Sequence, residues 1–304
     1  MADLFDILVR HQIYLEGLKA GRSADFPQVL GKLDFELRKH LSLIQYENLG
    51  DANKTELNKL LVALRLSMRS IFNPWLRSLV EWLERFVVVE AEAFGTYFNT
   101  EADPAPIFAA SKTEPMGANG LFWVAFLNGS AVYAMTRIER LVTNGYANRL
   151  TKAEVINGFL GTKSRGYKDG IGRQLDNASV AAIATIMQHL SAQANMTLAK
   201  KAFGQYEWVS IMDEATTDVC RQRDGNRYAY GKGPVPPAHV RCRSSIVPVY
   251  ANSPSRDLRF DMWAKRQPAV FLNDAFDGSP SARYEGTAPL TLRQYEGKRR
   301  FILA

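Results

Sequence analysis

Cysteine is scarce in this chain: only Cys220 and Cys242 occur among 304 residues. That excludes a small extracellular fold stapled by several disulfides, and leaves the two thiols to be read as a pair or separately. Long hydrophobic runs are missing as well. No uninterrupted apolar stretch reaches the roughly 20 residues of a membrane-spanning helix, and the opening MADLFDILVR has no basic segment ahead of an apolar one, so neither membrane insertion nor secretion is expected. The patterns G-x-x-x-x-G-K-[ST], G-x-S-x-G and H-E-x-x-H do not occur, which removes the usual anchors of phosphate cradling, serine hydrolysis and zinc proteolysis. The glycine-studded stretch from Gly166 to Gly172 lacks a following Lys-Ser/Thr and reads as a flexible loop. Charge of one sign is not concentrated either. Thirty-eight Lys and Arg stand against 31 Asp and Glu, a net +7 spread along the chain, which favours an acidic partner in general terms and permits proximity to DNA.

A hydrophobic fraction of 46% with 11% aromatics is enough for a buried core. Apolar residues recur at three- and four-residue intervals through Leu4, Ile7, Leu8, Tyr14 and Leu18, with Asp3 placed to cap; through Leu33, Leu37, Leu41 and Ile44; and through Leu57, Leu60, Leu64, Met68 and Ile71. The third pattern is expected to stop at Asn73-Pro74 and a fourth helix to run from Trp75 to Phe98, apolar on several sides and hence buried. The Pro-, Ala- and Gly-rich stretch 103–120 reads as a linker. Helical periodicity returns over 131–142, over 152–160 behind a Thr151/Glu154 capping box, and over 178–202. His11, His40 and His189 sit on these helices with no second ligand three or four residues further on, so they read as structural side chains.

The densest information lies in 206–250. Tyr206 to Met212 reads as a strand, Asp213 to Gly225 as capping residues and a short helical turn ending in Asp224-Gly225, Arg227 to Tyr230 as a second strand, GKGPVPP as a rigid loop and Arg243 to Tyr250 as a third strand. The fold class expected is therefore α+β: a mainly helical N-terminal domain over 1–102, the linker 103–120, a smaller α+β domain with a short antiparallel sheet over 121–250, and an extended C-terminal tail over 251–304. That tail carries one amphipathic stretch, Leu258 to Phe271. It is expected to wrap over the domain, dock on a neighbour or remain partly ordered.

Cys220, His239 and Cys242 are three soft-metal ligands, two of them on one short loop. A structural zinc takes four, and the position where a C-x-x-C knuckle would begin is Thr217. Three readings stay open: a structural zinc, buried free thiols with His239 fixing the proline loop, or a Cys220–Cys242 cross-link after oxidation. The leading expectation is no cofactor.

The order Trp208, Asp213, Thr216, Thr217, Cys220, Arg221, Asp224, Gly225, Pro236, Pro237, His239, Cys242, Arg243, Ser244 resembles the head morphogenesis domain of Mu-like phage minor head proteins. The flanking segments Thr185 to Ala194 and Asp261 to Phe271 are similar to those of the family too. The resemblance implies a virion component, made in the host bacterial cytoplasm, which meets the portal or major capsid protein at the portal vertex or inner head surface. There it would serve head assembly, DNA packaging or ejection. It implies a structural role with no catalysis, small-molecule substrate or membrane, in which Asp213, Thr216, Thr217, Asp224, Gly225, Pro237 and Arg243 are structural motif residues. Two other readings are carried forward. Arg221, Arg223, Arg227, Arg241 and Arg243 cluster and could contact packaged double-stranded DNA. Cys220 could instead be a nucleophile, with His239 as its base and Asp224 orienting the imidazole.

Overall fold

The computed structural model describes residues 3–250, 252, 260–276 and 289–303, and over these the chain is α+β, mainly helical with one three-stranded antiparallel sheet. The order is α1 (Leu4–Ser23), α2 (Phe26–Ser42), α3 (Lys54–Phe98), α4 (Pro104–Ser111), α5 (Trp123–Ala147), α6 (Lys152–Leu160) and α7 (Ile171–Ala199). Then follow β1 (Gln205–Val209), α8 (Asp218–Arg223), β2 (Arg227–Ala229), β3 (Ser245–Val249), α9 (Phe260–Ala264), α10 (Ala269–Phe276), α11 (Leu292–Gly297) and α12 (Arg299–Ile302). None of the described helices is long and apolar enough to cross a membrane.

Local signals account for several of the helix starts. The Asp3 carboxylate accepts from Phe5 N at the start of α1, and α6 begins with the capping box expected of Thr151 and Glu154. One expected break does not occur: α3 runs unbroken for 45 residues through Pro74. A proline removes one helical donor and leaves the carbonyl four residues earlier without its partner. Here that residue, Ser70, and Pro74 itself both face solvent, where water can serve the carbonyl. Buried Phe72 and half-buried Trp75 hold the two sides of the defect together, Trp75 packing edge-on against both Phe72 and Phe26 of α2.

The chain divides into two compact units, each assembled from separated stretches. One, formed by 24–81 and 124–182, is all helical. Its core takes Val29, Leu33 and Leu37 from α2, Leu64 and Met68 from α3, Ile138 and Val142 from α5, and Phe159 from α6. The other, formed by 1–23, 82–123 and 183–304, contains the sheet, with α1 packed on β3. The expected boundaries at 102 and 120 are corrected accordingly. Residues 103–120 are not a bare linker, because Pro104 opens α4 behind an Asp103 cap and Ile107, Phe108, Ser111 and Met116 are buried. Composition rich in Pro and Ala marked a helix start there.

Helix α1 is buried on nearly every side, polar residues included. Arg10 pairs with Asp6 at 2.9 Å and Gln267 at 2.9 Å, and Lys19 with Glu16 at 2.6 Å. Where it is described, the tail is not extended but forms α9 to α12, which close around α1. Trp263 Nε1 donates to Asp6, Tyr14 OH to Asp274, and Lys298 to Asp274. The amphipathic stretch expected from Leu258 is helical from Phe260 and interrupted before Ala269, while Leu258 itself lies outside the described residues.

Gly21 explains one close approach. The Leu290 backbone crosses α1 with its N–H on the Gly17 carbonyl at 3.0 Å, and a methyl group at position 21 would overlap the Leu290 carbonyl. Gly21→Ala is therefore expected to destabilise by about 1–3 kcal/mol and to expose the C-terminal helices to limited proteolysis. Gly31→Ala, at an exposed α2 position with nothing near the added carbon, should instead stabilise by about 0.5–1 kcal/mol. Equal thermal shifts in the two variants would refute this account.

Candidate functional site

The sheet order is β2-β1-β3, so β1 is central and both partners run antiparallel to it. Tyr206 lies opposite Tyr228 and Pro248, and Trp208 opposite Ile246. Pro248 is tolerated because β3 is an edge of the sheet. The alternation of β1 sends Tyr206 and Trp208 into a small core with Cys220, Cys242 and Ile246. Glu207, on the opposite face, is buried too and pairs with Arg227 at 3.2 Å.

Each motif residue has a definite place. Asp213 holds Arg243 through two hydrogen bonds, Nη2 to Oδ1 at 2.5 Å and Nη1 to Oδ2 at 2.6 Å, and so ties the segment before α8 to the start of β3. Although partial burial alone would raise it, the Arg243 pairing with hydrogen bonds from Thr216 and Ala215 keeps the Asp213 carboxyl below the ordinary range. Thr216 Oγ1 accepts from Asp213 N and donates to the Ile211 carbonyl. Asp224 accepts from Ser210 N at 2.7 Å, and Gly225 takes the positive φ of 79° that its turn requires. Pro237 is buried behind the cis bond to Pro236, on the loop that carries His239.

The fold brings Cys220, His239 and Cys242 together. Their ligating atoms all lie within 4.8 Å of one another, with Cys220 Sγ 3.3 Å from His239 Nε2 and 3.8 Å from Cys242 Sγ. Both thiols are free and buried. The hydrogen bond between them acts in opposite directions on the two. With burial, it pushes the Cys220 thiol far up. It holds Cys242 well below the usual thiol range, helped against burial by His239 and by the backbone at Ala238 and Ser244. His239 is raised by its hydrogen bond with Cys242, which outweighs its partial burial. Its Nδ1 lies 2.9 Å from the Val240 carbonyl. A carbonyl only accepts, so Nδ1 carries a proton. Nδ1 is the nitrogen an orienting carboxylate would use in a Cys220–His239–Asp224 relay, and here it meets the Val240 carbonyl, while Asp224 accepts from Ser210 N.

The arginines are largely engaged within the unit. Arg221 reaches the Thr216 and Asp213 carbonyls, Arg223 lies over the Trp208 ring at 5.1 Å, Arg227 pairs with Glu207 and Arg243 with Asp213. Arg241 is exposed, in the left-handed region at φ 62°, with its N–H on Thr185 Oγ1 at 3.0 Å.

Several residues that sequence reasoning did not single out hold this site in place. From α7, Thr185 grips the His-x-x-Cys loop, Gln188 donates to the Ser244 carbonyl at 3.0 Å and Asn195 to the Ile246 carbonyl at 3.1 Å. Ser210 receives Trp208 Nε1 and donates to the Cys220 carbonyl. Thr185 and Gln188 lie in the segment 185–194 that is similar to the family's flank, but the sequence assigns them no individual role; for Asn195 the only signal is polarity on a helix face that otherwise reads as core. His11, His40 and His189 are placed as structural side chains, meeting Glu90 and Tyr97, Ser67 and Glu36, and the Ser111 carbonyl respectively. No protein-family model, curated protein or solved structure matches this chain.

Proposed function

We propose that this chain is a minor head protein of a tailed bacteriophage, a structural part of the virion that acts at the portal vertex or inner head surface in head assembly, DNA packaging or ejection. The reading rests on the resemblance carried by Trp208 to Ser244. One observation supports it: the residues of that resemblance converge on a single small module, where they serve architecture. Trp208, Cys220 and Cys242 share its core, Asp213 clamps Arg243, and Asp224 and Gly225 shape the turn behind β1. Residues spent on mutual packing and pairing suit a component that holds a fixed shape in an assembly.

The partner in this proposal is the portal or major capsid protein, with packaged double-stranded DNA nearby. Because Arg221, Arg223, Arg227 and Arg243 are engaged internally, DNA contact is the lesser role, and retention on random DNA should be weak at low salt. The deciding experiment is gradient purification of particles from the producing strain, with protein content read by mass spectrometry. The chain should band with heads and be present in few copies, and disrupting its gene should leave heads empty or non-infectious. Full, infectious heads assembled without it would overturn the proposal.

A further inference from the structure

Zinc bound by two thiolates and an imidazole has bonds of about 2.3 Å to sulfur and about 2.0–2.1 Å to nitrogen. At tetrahedral angles this puts the two sulfurs about 3.8 Å apart and sulfur and nitrogen about 3.5 Å apart. In this chain the Cys220 and Cys242 sulfurs are 3.8 Å apart, and Cys220 Sγ is 3.3 Å from His239 Nε2. Two edges of the cluster thus match those of a zinc tetrahedron, and all three ligating atoms lie within 4.8 Å of one another. A disulfide would need sulfurs at about 2.0 Å, and both cysteines are free.

Two further observations point to a ligand. With its Nδ1–H on the Val240 carbonyl, His239 has the outer-shell bond that metal-bound histidines use to hold the ring and direct Nε2 at the ion. The Thr217 hydroxyl oxygen, at the N-cap position of α8 three residues before Cys220, is buried and makes no cap bond and no other hydrogen bond among the described residues. A buried oxygen without a partner is costly, and a coordination position beside it would relieve that cost.

We propose that Cys220, His239 Nε2 and Cys242 bind one zinc ion, with the Thr217 hydroxyl facing the fourth coordination position. Binding forms two Zn–S bonds and one Zn–N bond and releases the two thiol protons to solvent. The ion joins α8 to the His-x-x-Cys loop just before β3, in a module whose three strands are only three to five residues long. Zinc suits the donor set: two soft thiolates and an imidazole in tetrahedral array, with no redox change required. The centre is structural, since both cysteines are buried. The inference does not depend on the phage-head reading, because it is tested on the isolated chain.

The test uses the full chain purified under reducing conditions, stripped with chelator and reconstituted with zinc or cobalt. One zinc per chain should be recovered after desalting, and the cobalt form should show thiolate-to-metal charge transfer and tetrahedral visible bands. Cys242→Ser should lose zinc, and its circular dichroism shows whether the helices persist. Thr217→Cys supplies a fourth thiolate, so it should bind zinc more tightly and intensify the charge-transfer band, a gain that misfolding cannot imitate. Metal content at the blank level in the reconstituted chain would overturn the proposal. So would full zinc content in Cys242→Ser, or recovery of a Cys220–Cys242 disulfide from cells in place of the metal form.

Discussion

Glu90→Ala is expected to cost about 3–5 kcal/mol, because it removes one side of a fully buried charged network and leaves the rest unpaired. Glu90 is 0% exposed on α3. Its carboxylate receives His11 Nε2 at 3.2 Å and Tyr295 OH at 2.6 Å, and His11 Nδ1 lies 3.2 Å from Tyr97 OH. The network joins α1, α3 and α11, so its loss should loosen the C-terminal helices along with the core. Burial by itself favours the neutral acid, but the charge and hydrogen bond of His11, with hydrogen bonds from Ser191 and Tyr295, hold Glu90 below the ordinary carboxyl range. A carboxyl depressed on folding contributes stability above its unfolded pKa and loses it as pH falls through the folded value. Glu90→Gln keeps an acceptor for Tyr295 and should lose less than Glu90→Ala. Urea unfolding of both variants measures the difference, and a loss under about 1 kcal/mol for Glu90→Ala would contradict the network's role.

His189 sets the acid limit at higher pH. Burial lowers its imidazole to about 4, against a partial gain from the Ser111 carbonyl at 3.3 Å. Between the unfolded value of about 6.5 and this folded value, the unfolded chain binds more protons, so stability falls as pH is lowered through that window. The displacement corresponds to about 3 kcal/mol lost between about pH 6.5 and about pH 4. His189→Gln can still donate to the Ser111 carbonyl but does not titrate. Urea midpoints followed through that window should slope for the parent chain and flatten for the variant. Parallel slopes would assign the acid sensitivity elsewhere.

Much of this protein was legible before its structure. The periodicities of α1, α2, α6 and α7, the Thr151/Glu154 box, the Asp224-Gly225 turn and the three strands all depend on residues close in sequence, and the structure places them close to expectation, α7 beginning seven residues earlier at Ile171. Pro74 misled because a local rule for ending helices takes no account of where the defect faces. On the solvent side, with Phe72 and Trp75 packed around it, the helix continues. Residues 103–120 misled for a related reason: among many exposed small residues, Ile107, Phe108 and Met116 are buried against a core that composition does not reveal.

By itself, the sequence determined the α+β class, most of the helices and turns, and the grouping of Cys220, His239 and Cys242 as the side chains with distinctive chemistry. Tertiary structure decided how those side chains are arranged. It set the two sulfurs and Nε2 within 4.8 Å of one another, turned His239 Nδ1 to a carbonyl, and engaged the motif arginines with Asp213, Glu207 and Trp208. It also joined α1 and the C-terminal helices to the unit that holds the sheet, through Glu90, His11 and Tyr295. Helix periodicity, capping and turn preference act over a few residues, whereas the pairing of a buried polar group depends on which distant segment folds against it.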